Sequence, residues 1–381
     1  MEVTSHRRRR RGIAGLAALA FAMLSPHSPA SPSAGAPGSV ISLAPLPDAT
    51  GFAGMFAAVL DGNLYAGGGS QWNKPFWLGG QRRLSDRIFV LADPAGAWRE
   101  SESRLPRPVG HFGSAVDGEQ VYVCGGIGPE GVVREAWVGR LEQGALRWSA
   151  LPSLPRGVVY TSAGVAGGRL FVVGGLLRPE DRTASAEVWS LACDLAAAGR
   201  EGWRREPDLP TGGLFVAAVG GRGDRLFVVS GMGFDTGGAY VPSRALTVFS
   251  TSDRTWRAAA SLPEGRVGAS PPCFTPGGEQ FLLVGGYPTV FTGAPREHPG
   301  FPAQTLVYDL ATDAWSAGPV LPVTPFADRD SPTDAGPSPM VGSPAVAWRG
   351  RAIVVGGELR PSARSPQVLS VALPHAHPSA P

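Results

Sequence analysis

The residues best equipped for chemistry stand near the C-terminal end, in Gly356-Gly357-Glu358-Leu359-Arg360-Pro361-Ser362-Ala363-Arg364-Ser365-Pro366. An apolar run ends there in two glycines, a carboxylate follows at once, and a guanidinium follows six residues later. A carboxylate at a narrow, partly desolvated opening can serve as a general base. Arg364 offers a planar fork that matches a carboxylate, so the pair suits proton transfer on an anionic small molecule. The same residues could equally form a solvated turn with a surface ion pair.

Other candidates are weaker. Arg107, Arg156 and Arg266 each follow a Leu-Pro by a few residues, and with Arg360 they could contact an anionic substrate; arginines on such loops are also ordinary surface residues. His111 and His298 are the only histidines between residues 40 and 374, too few for a multi-histidine metal cluster, and each reads as a surface or hydrogen-bonded residue. Asp328, Asp330 and Asp334 lie in a Pro-rich stretch at 323–343 that lacks the glycine and glutamate of a calcium loop, so a lid or linker is expected there. Cys124, Cys193 and Cys273 allow at most one disulfide and have no ligand spacing. The sequence therefore calls for no metal and no cofactor.

The elements that must position these groups are repeats. A short apolar run ending in two small residues recurs six times: Leu64-Tyr65-Ala66-Gly67-Gly68, Val121-Tyr122-Val123-Cys124-Gly125-Gly126, Leu170-Phe171-Val172-Val173-Gly174-Gly175, Leu226-Phe227-Val228-Val229-Ser230-Gly231, Phe281-Leu282-Leu283-Val284-Gly285-Gly286 and Ala352-Ile353-Val354-Val355-Gly356-Gly357. Their spacing, 49 to 71 residues, brackets the roughly 50-residue period of Kelch blades. After each of the first five comes a tryptophan and then Leu-Pro: Trp98, Trp148, Trp203, Trp256 and Trp315. The sixth lacks its tryptophan. Val40-Ile41-Ser42-Leu43-Ala44-Pro45-Leu46-Pro47 instead resembles the end of a repeat without its beginning. The expected fold is all-β: a six-bladed Kelch-type β-propeller over residues 40–374, closed by N- and C-terminal strands in one blade. The tryptophans should pack between blades, and the loops after the glycine pairs and after the Leu-Pro elements should share one face around the channel.

The flanks read differently. Five consecutive arginines, an apolar stretch of about a dozen residues and a Ser/Pro/Ala-rich segment give residues 1–36 the order of parts of a signal peptide. The stretch is too short for a permanent membrane anchor, so the expected location is periplasmic or secreted, in a bacterium; residues 375–381 form a tail. Without Glu2 and Arg7 to Arg11 the chain carries 29 basic and 30 acidic residues. The basic character thus belongs to the leader, and no basic patch argues for a nucleic-acid partner.

The Gly-Glu, basic residue, Pro and Arg at Glu358, Arg360, Pro361 and Arg364 resemble the active-site signature of the sialic acid mutarotases, or N-acetylneuraminate epimerases, in their cyclically permuted branch. Gly51-Phe52-Ala53-Gly54, Trp77-Leu78-Gly79-Gly80 and Ile88-Phe89-Val90-Leu91 are similar to that family's opening blade. Ser70-Gln71-Trp72 stands where the family has Asn-Phe-Pro, and Ser362 where it has Gly, which leaves the identity of the sugar open. The resemblance implies an isomerase that interconverts α and β anomers of an anionic sugar, with Glu358 as general base and Arg364 on the substrate carboxylate. A Kelch propeller that binds glycan or protein without catalysis is the alternative. A copper radical oxidase of the galactose oxidase type would need two His and two Tyr around copper, and the histidines are too few.

Overall fold

Each apolar run is rich in Val, Leu and Phe, residues that favour strands packed on both faces. The computed structural model describes residues 39–333 and 336–374; the expected leader, the C-terminal tail and Asp334 lie outside the described residues. All six runs fall on second strands of four-stranded antiparallel sheets: Asn63–Gly67, Gln120–Cys124, Arg169–Val173, Arg225–Val229, Gln280–Leu283 and Arg351–Arg360. Their apolar residues are almost wholly buried, because each sheet is covered by its neighbours on both sides. The chain is a six-bladed β-propeller.

The ring closes as the unpaired N-terminal segment demands. Val40–Leu43 is the outermost strand of the last blade, antiparallel to Ala363–Ala372, with Val40 opposite Val371 and Leu43 opposite Val368. The tryptophans lock neighbouring blades together. Trp98 donates its indole N–H to the Ala44 carbonyl at 2.9 Å, Trp203 to Pro152 at 2.7 Å, Trp256 to Pro207 at 3.0 Å and Trp315 to Ala260 at 2.8 Å. Each acceptor lies beside the Leu-Pro region of the preceding blade. Trp148 instead packs edge-on against Phe56 of the preceding blade, with ring centroids 5.7 Å apart. A sixth anchor was not expected: Trp348, in the innermost strand of the last blade, bonds the Gly62 carbonyl at 2.8 Å. Among the described residues one α-helix, Leu195–Glu201, sits in the third blade, its N-terminus capped by Asp194.

The register of the first repeat is one residue later than the sequence suggests. In every other blade the two small residues of the pair have positive φ, from 55° to 74° at the first and from 82° to 131° at the second. In the first blade Gly68 and Gly69 take this conformation, whereas Gly67 ends the strand. Three glycines in a row hid the phase.

The blades meet at a closed ring of backbone hydrogen bonds around the axis. Its six members are Gly54, His111, Tyr160, Val216, Gly268 and Gly342, one at the entry to each innermost strand. Each N–H from His111 onward donates to the carbonyl of the member before it, and Gly54 donates to Gly342, with all six distances between 2.9 and 3.1 Å. All six are left-handed, with φ from 46° to 69°. Glycine adopts this conformation at no steric cost; His111, Tyr160 and above all the β-branched Val216 are strained there.

Candidate functional site

A residue directly after each small pair bridges the residue just before the axial ring: Ser70 with Ala53, Ile127 with Gly110, Leu176 with Val159, Met232 with Phe215, Tyr287 with Val267 and Glu358 with Val341. The loops after the small pairs and those leading into the innermost strands therefore share one face. The six positions are equivalent by symmetry, but their chemistry is not. Blades two to four contribute Ile127, Leu176 and Met232, which join Val159, Phe215 and Val267 in one apolar cluster. Blades five, six and one contribute Tyr287, Glu358 and Ser70. The mouth has an apolar arc and a polar arc.

Glu358 and Arg364 face each other across a long hairpin of Arg351–Arg360 and Ala363–Ala372. Pro361 and Ser362 form its turn, with Ser362 left-handed at φ 58°. That backbone favours glycine, yet Ser362 gains two contacts: its N–H donates to Glu358 Oε1 at 2.8 Å, and its hydroxyl accepts from the Phe76 N–H at 3.2 Å. Arg364 Nη1 lies 2.7 Å from Glu358 Oε2. None of its N–H bonds points along that line, so the contact is an ion pair rather than a directed hydrogen bond. The Arg364 side chain is 4 % exposed and that of Glu358 26 %, so the carboxylate is the accessible partner. Arg364 Nε donates to the Ser70 carbonyl at 3.3 Å and Nη2 reaches Ser70 Oγ at 3.5 Å; Ser70 Oγ lies 2.9 Å from His111 Nε2. A polar chain thus runs Glu358, Arg364, Ser70, His111 across the seam between the last, first and second blades.

Sequence reasoning missed three of these neighbours. Ser70 stood out only as a departure from the resembled family and Tyr287 carries no motif of its own; aligning the residue after every small pair would have marked both. Tyr287 is kept protonated, its phenol pushed up first by burial and then by the nearby Glu358 charge. His111 is hydrogen-bonded, one of the two readings the sequence allowed, and it is also a member of the axial ring. Burial, followed by the charges of Arg82 and Arg364, holds its pKa well below 6.5 and the imidazole neutral.

The four remaining arginines are engaged elsewhere. Arg107 pairs with Glu135 at 2.8 Å and with Glu130, and Arg156 pairs with Glu187. Both pairs tie a loop to the end of a neighbouring strand. Arg266 is buried, its side chain 2 % exposed, and among the described residues only its Nη2 meets a side-chain partner, Glu264 at 2.6 Å. Arg360 is fully buried with Nη2 on the Asp328 carbonyl at 2.7 Å and its guanidinium 4.6 Å over Phe326. It fastens the segment at 323–343, which is pinned on other sides as well. The Arg364 N–H donates to the Pro332 carbonyl at 2.8 Å, and Asp330 binds Trp77 and Arg296.

No family model and no curated protein matches this chain. Its site must be read from its own residues. Among the described residues no three His, Cys, Asp or Glu side chains gather to hold a metal ion. The three cysteines are buried and unbridged, with burial pushing the Cys193 thiol up to about 11 and that of Cys273 to about 12. No described helix is long and apolar enough to cross a membrane.

Proposed function

We propose that this Kelch-type propeller is an exported sugar-acid mutarotase that interconverts the α and β anomers of N-acetylneuraminate or a related anionic sugar. The observation that carries the reading is the position of Glu358: a partly exposed carboxylate one residue from the axial ring, oriented by the Ser362 N–H and by Arg364. Glu358 takes the proton of the anomeric hydroxyl, whose oxygen becomes the carbonyl. The bond between the anomeric carbon and the ring oxygen breaks, its electron pair goes to that oxygen, and water protonates it. Rotation about the bond to the anomeric carbon and closure on the other face reverse these steps. Arg364 holds Glu358 in place, and its guanidinium is the charge that meets the substrate carboxylate. One positioned base contributes typically about 10²- to 10⁴-fold, which suits a reaction that already proceeds slowly in water. The apolar arc suits the C–H face of a sugar ring.

The test is direct. The purified protein is added to freshly dissolved α-N-acetylneuraminate and anomer exchange is followed by NMR. The reading requires acceleration over the uncatalysed rate; none at all would favour a propeller that binds a glycan or protein without catalysis.

A further inference from the structure

The axial ring is built unequally. In blades two, three and four its members are His111, Tyr160 and Val216; in blades five, six and one they are Gly268, Gly342 and Gly54. A methyl group added to Gly342 would meet no atom within 4 Å, so there is open space beside Glu358. A methyl on Gly54 would lie 2.7 Å from His111 Nδ1, so the imidazole occupies the place that a side chain at 54 would take. His111 therefore leans over the first blade toward the glycine arc. Its φ of 56° is the kind of strain that persists where the surroundings demand it, often at functional positions.

The tautomer follows from the neighbours. Arg364 Nη2 can only donate, so Ser70 Oγ accepts from it, and its own O–H still needs an acceptor. Ser70 is fully buried, and His111 Nε2, 2.9 Å away, is the one acceptor its O–H meets among the described residues, so the arrangement that leaves no buried donor unpaired puts the proton of the neutral ring on Nδ1. Nδ1 has no protein acceptor among the described residues, and it lies at the glycine arc. Tyr160 closes the other side of the ring edge-on, with centroids 5.1 Å apart.

We infer that His111 is a further ligand-contacting residue of the mouth, whose Nδ1–H donates a hydrogen bond to an oxygen of a ligand seated over Gly54 and Gly342 and opposed by Glu358. The inference rests on the proposed anomer exchange for its catalytic role: there the oxygen is the ring oxygen, and the N–H meets the charge that develops as the ring opens. No proton leaves His111, since water supplies the one that the ring oxygen finally takes.

The test uses His111→Gly, which removes the ring and at the same time relieves the left-handed backbone, so the fold is kept; circular dichroism and the urea midpoint verify this. Anomer exchange of N-acetylneuraminate should fall in kcat by about 10²-fold, as for loss of one oxyanion donor, with KM changed much less. His111→Asn, which tolerates the same φ and keeps an N–H donor, should recover part of the loss. If the wild type accelerates exchange and His111→Gly does so equally, the inference is overturned while the role of Glu358 stands. If the wild type does not accelerate exchange, the mutarotase reading fails, and the imidazole nitrogens decide: N-acetylneuraminate must shift the His111 Nδ1 resonance in ¹⁵N spectra, and no shift overturns the contact.

Discussion

At the residue scale, charge is placed according to what surrounds it. Glu358 and Arg364 could be singled out in the sequence because a glycine pair marks the end of a strand and six residues suffice for a hairpin turn. Ser70, His111 and Tyr287 could not, since they come from three other blades and are joined to Glu358 only by the circular arrangement. His298 shows the same dependence on packing. Its imidazole sits edge-on between Phe291 and Phe301, 5.0 Å from each, and burial, then the charges of Arg360 and Arg329, lower its pKa to about 4. The unfolded chain binds a proton there near pH 6.5, whereas the folded protein does not until about pH 4. Its contribution to stability is therefore full above pH 6.5 and is lost as the pH falls toward 4, by on the order of 3 kcal/mol. His111 is depressed in the same direction, so the informative quantity is a difference. Urea midpoints measured from pH 7 to 4.5 should fall less steeply for His298→Gln than for the wild type; parallel curves would contradict the assignment.

At the scale of the element, each blade repeats one plan, and departures from it are informative. The residue two before each axial-ring member fills the seam between blades: Phe52, Val109, Val158, Leu214 and Met340 are apolar and buried, but the seam between the fourth and fifth blades holds Arg266. Desolvation lowers the pKa of its guanidinium, and Nε and Nη1 find no acceptor among the described residues. Arg266→Met should therefore stabilise the protein by roughly 1–3 kcal/mol, read as a higher urea midpoint, because the exposed Glu264 left behind is easily solvated. A lower midpoint would mean that Arg266 satisfies something in its seam. Tight hairpins at the opposite face obey turn chemistry. Asp61-Gly62, Gly167-Gly168, Arg349-Gly350 and Gln143-Gly144 each place two left-handed residues in a two-residue turn. Gln143→Asn, which supplies the favoured Asn-Gly pair, should add about 0.5 kcal/mol by thermal or urea denaturation without touching anomer exchange. The repeat period was legible because apolar run, small pair and tryptophan recur in order; the phase of the first repeat and the buried Arg266 were not, since glycine runs carry no phase and an arginine after Leu-Pro looks the same exposed or buried.

At the scale of the whole molecule, closure is what makes the site. The axial ring of hydrogen bonds brings the entry strands of all six blades to one circle, and the strand Val40–Leu43 completes the last blade, on which Glu358 and Arg364 stand. A chain beginning at residue 46 should lose that strand's ladder to Ala363–Ala372, expose the edge, and show a lower Tm with concentration-dependent aggregation; an unchanged Tm would show that the closing strand adds little. Six blades and their closure could be read from the sequence because one repeat arrives split between the termini. The division of the mouth into a polar and an apolar arc could not, since it arises only when equivalent positions of different blades meet on the axis. Under the proposed function the carboxylate of Glu358, placed at this mouth, performs proton transfer on a sugar. The most direct test compares the catalysed anomer-exchange rate of N-acetylneuraminate in the wild type and in Glu358→Gln, a change that keeps the shape and hydrogen-bonding capacity of the side chain. A loss of about 10²-fold or more with the fold intact is the expected result; a Glu358→Gln variant that exchanges anomers as fast as the wild type would contradict the account.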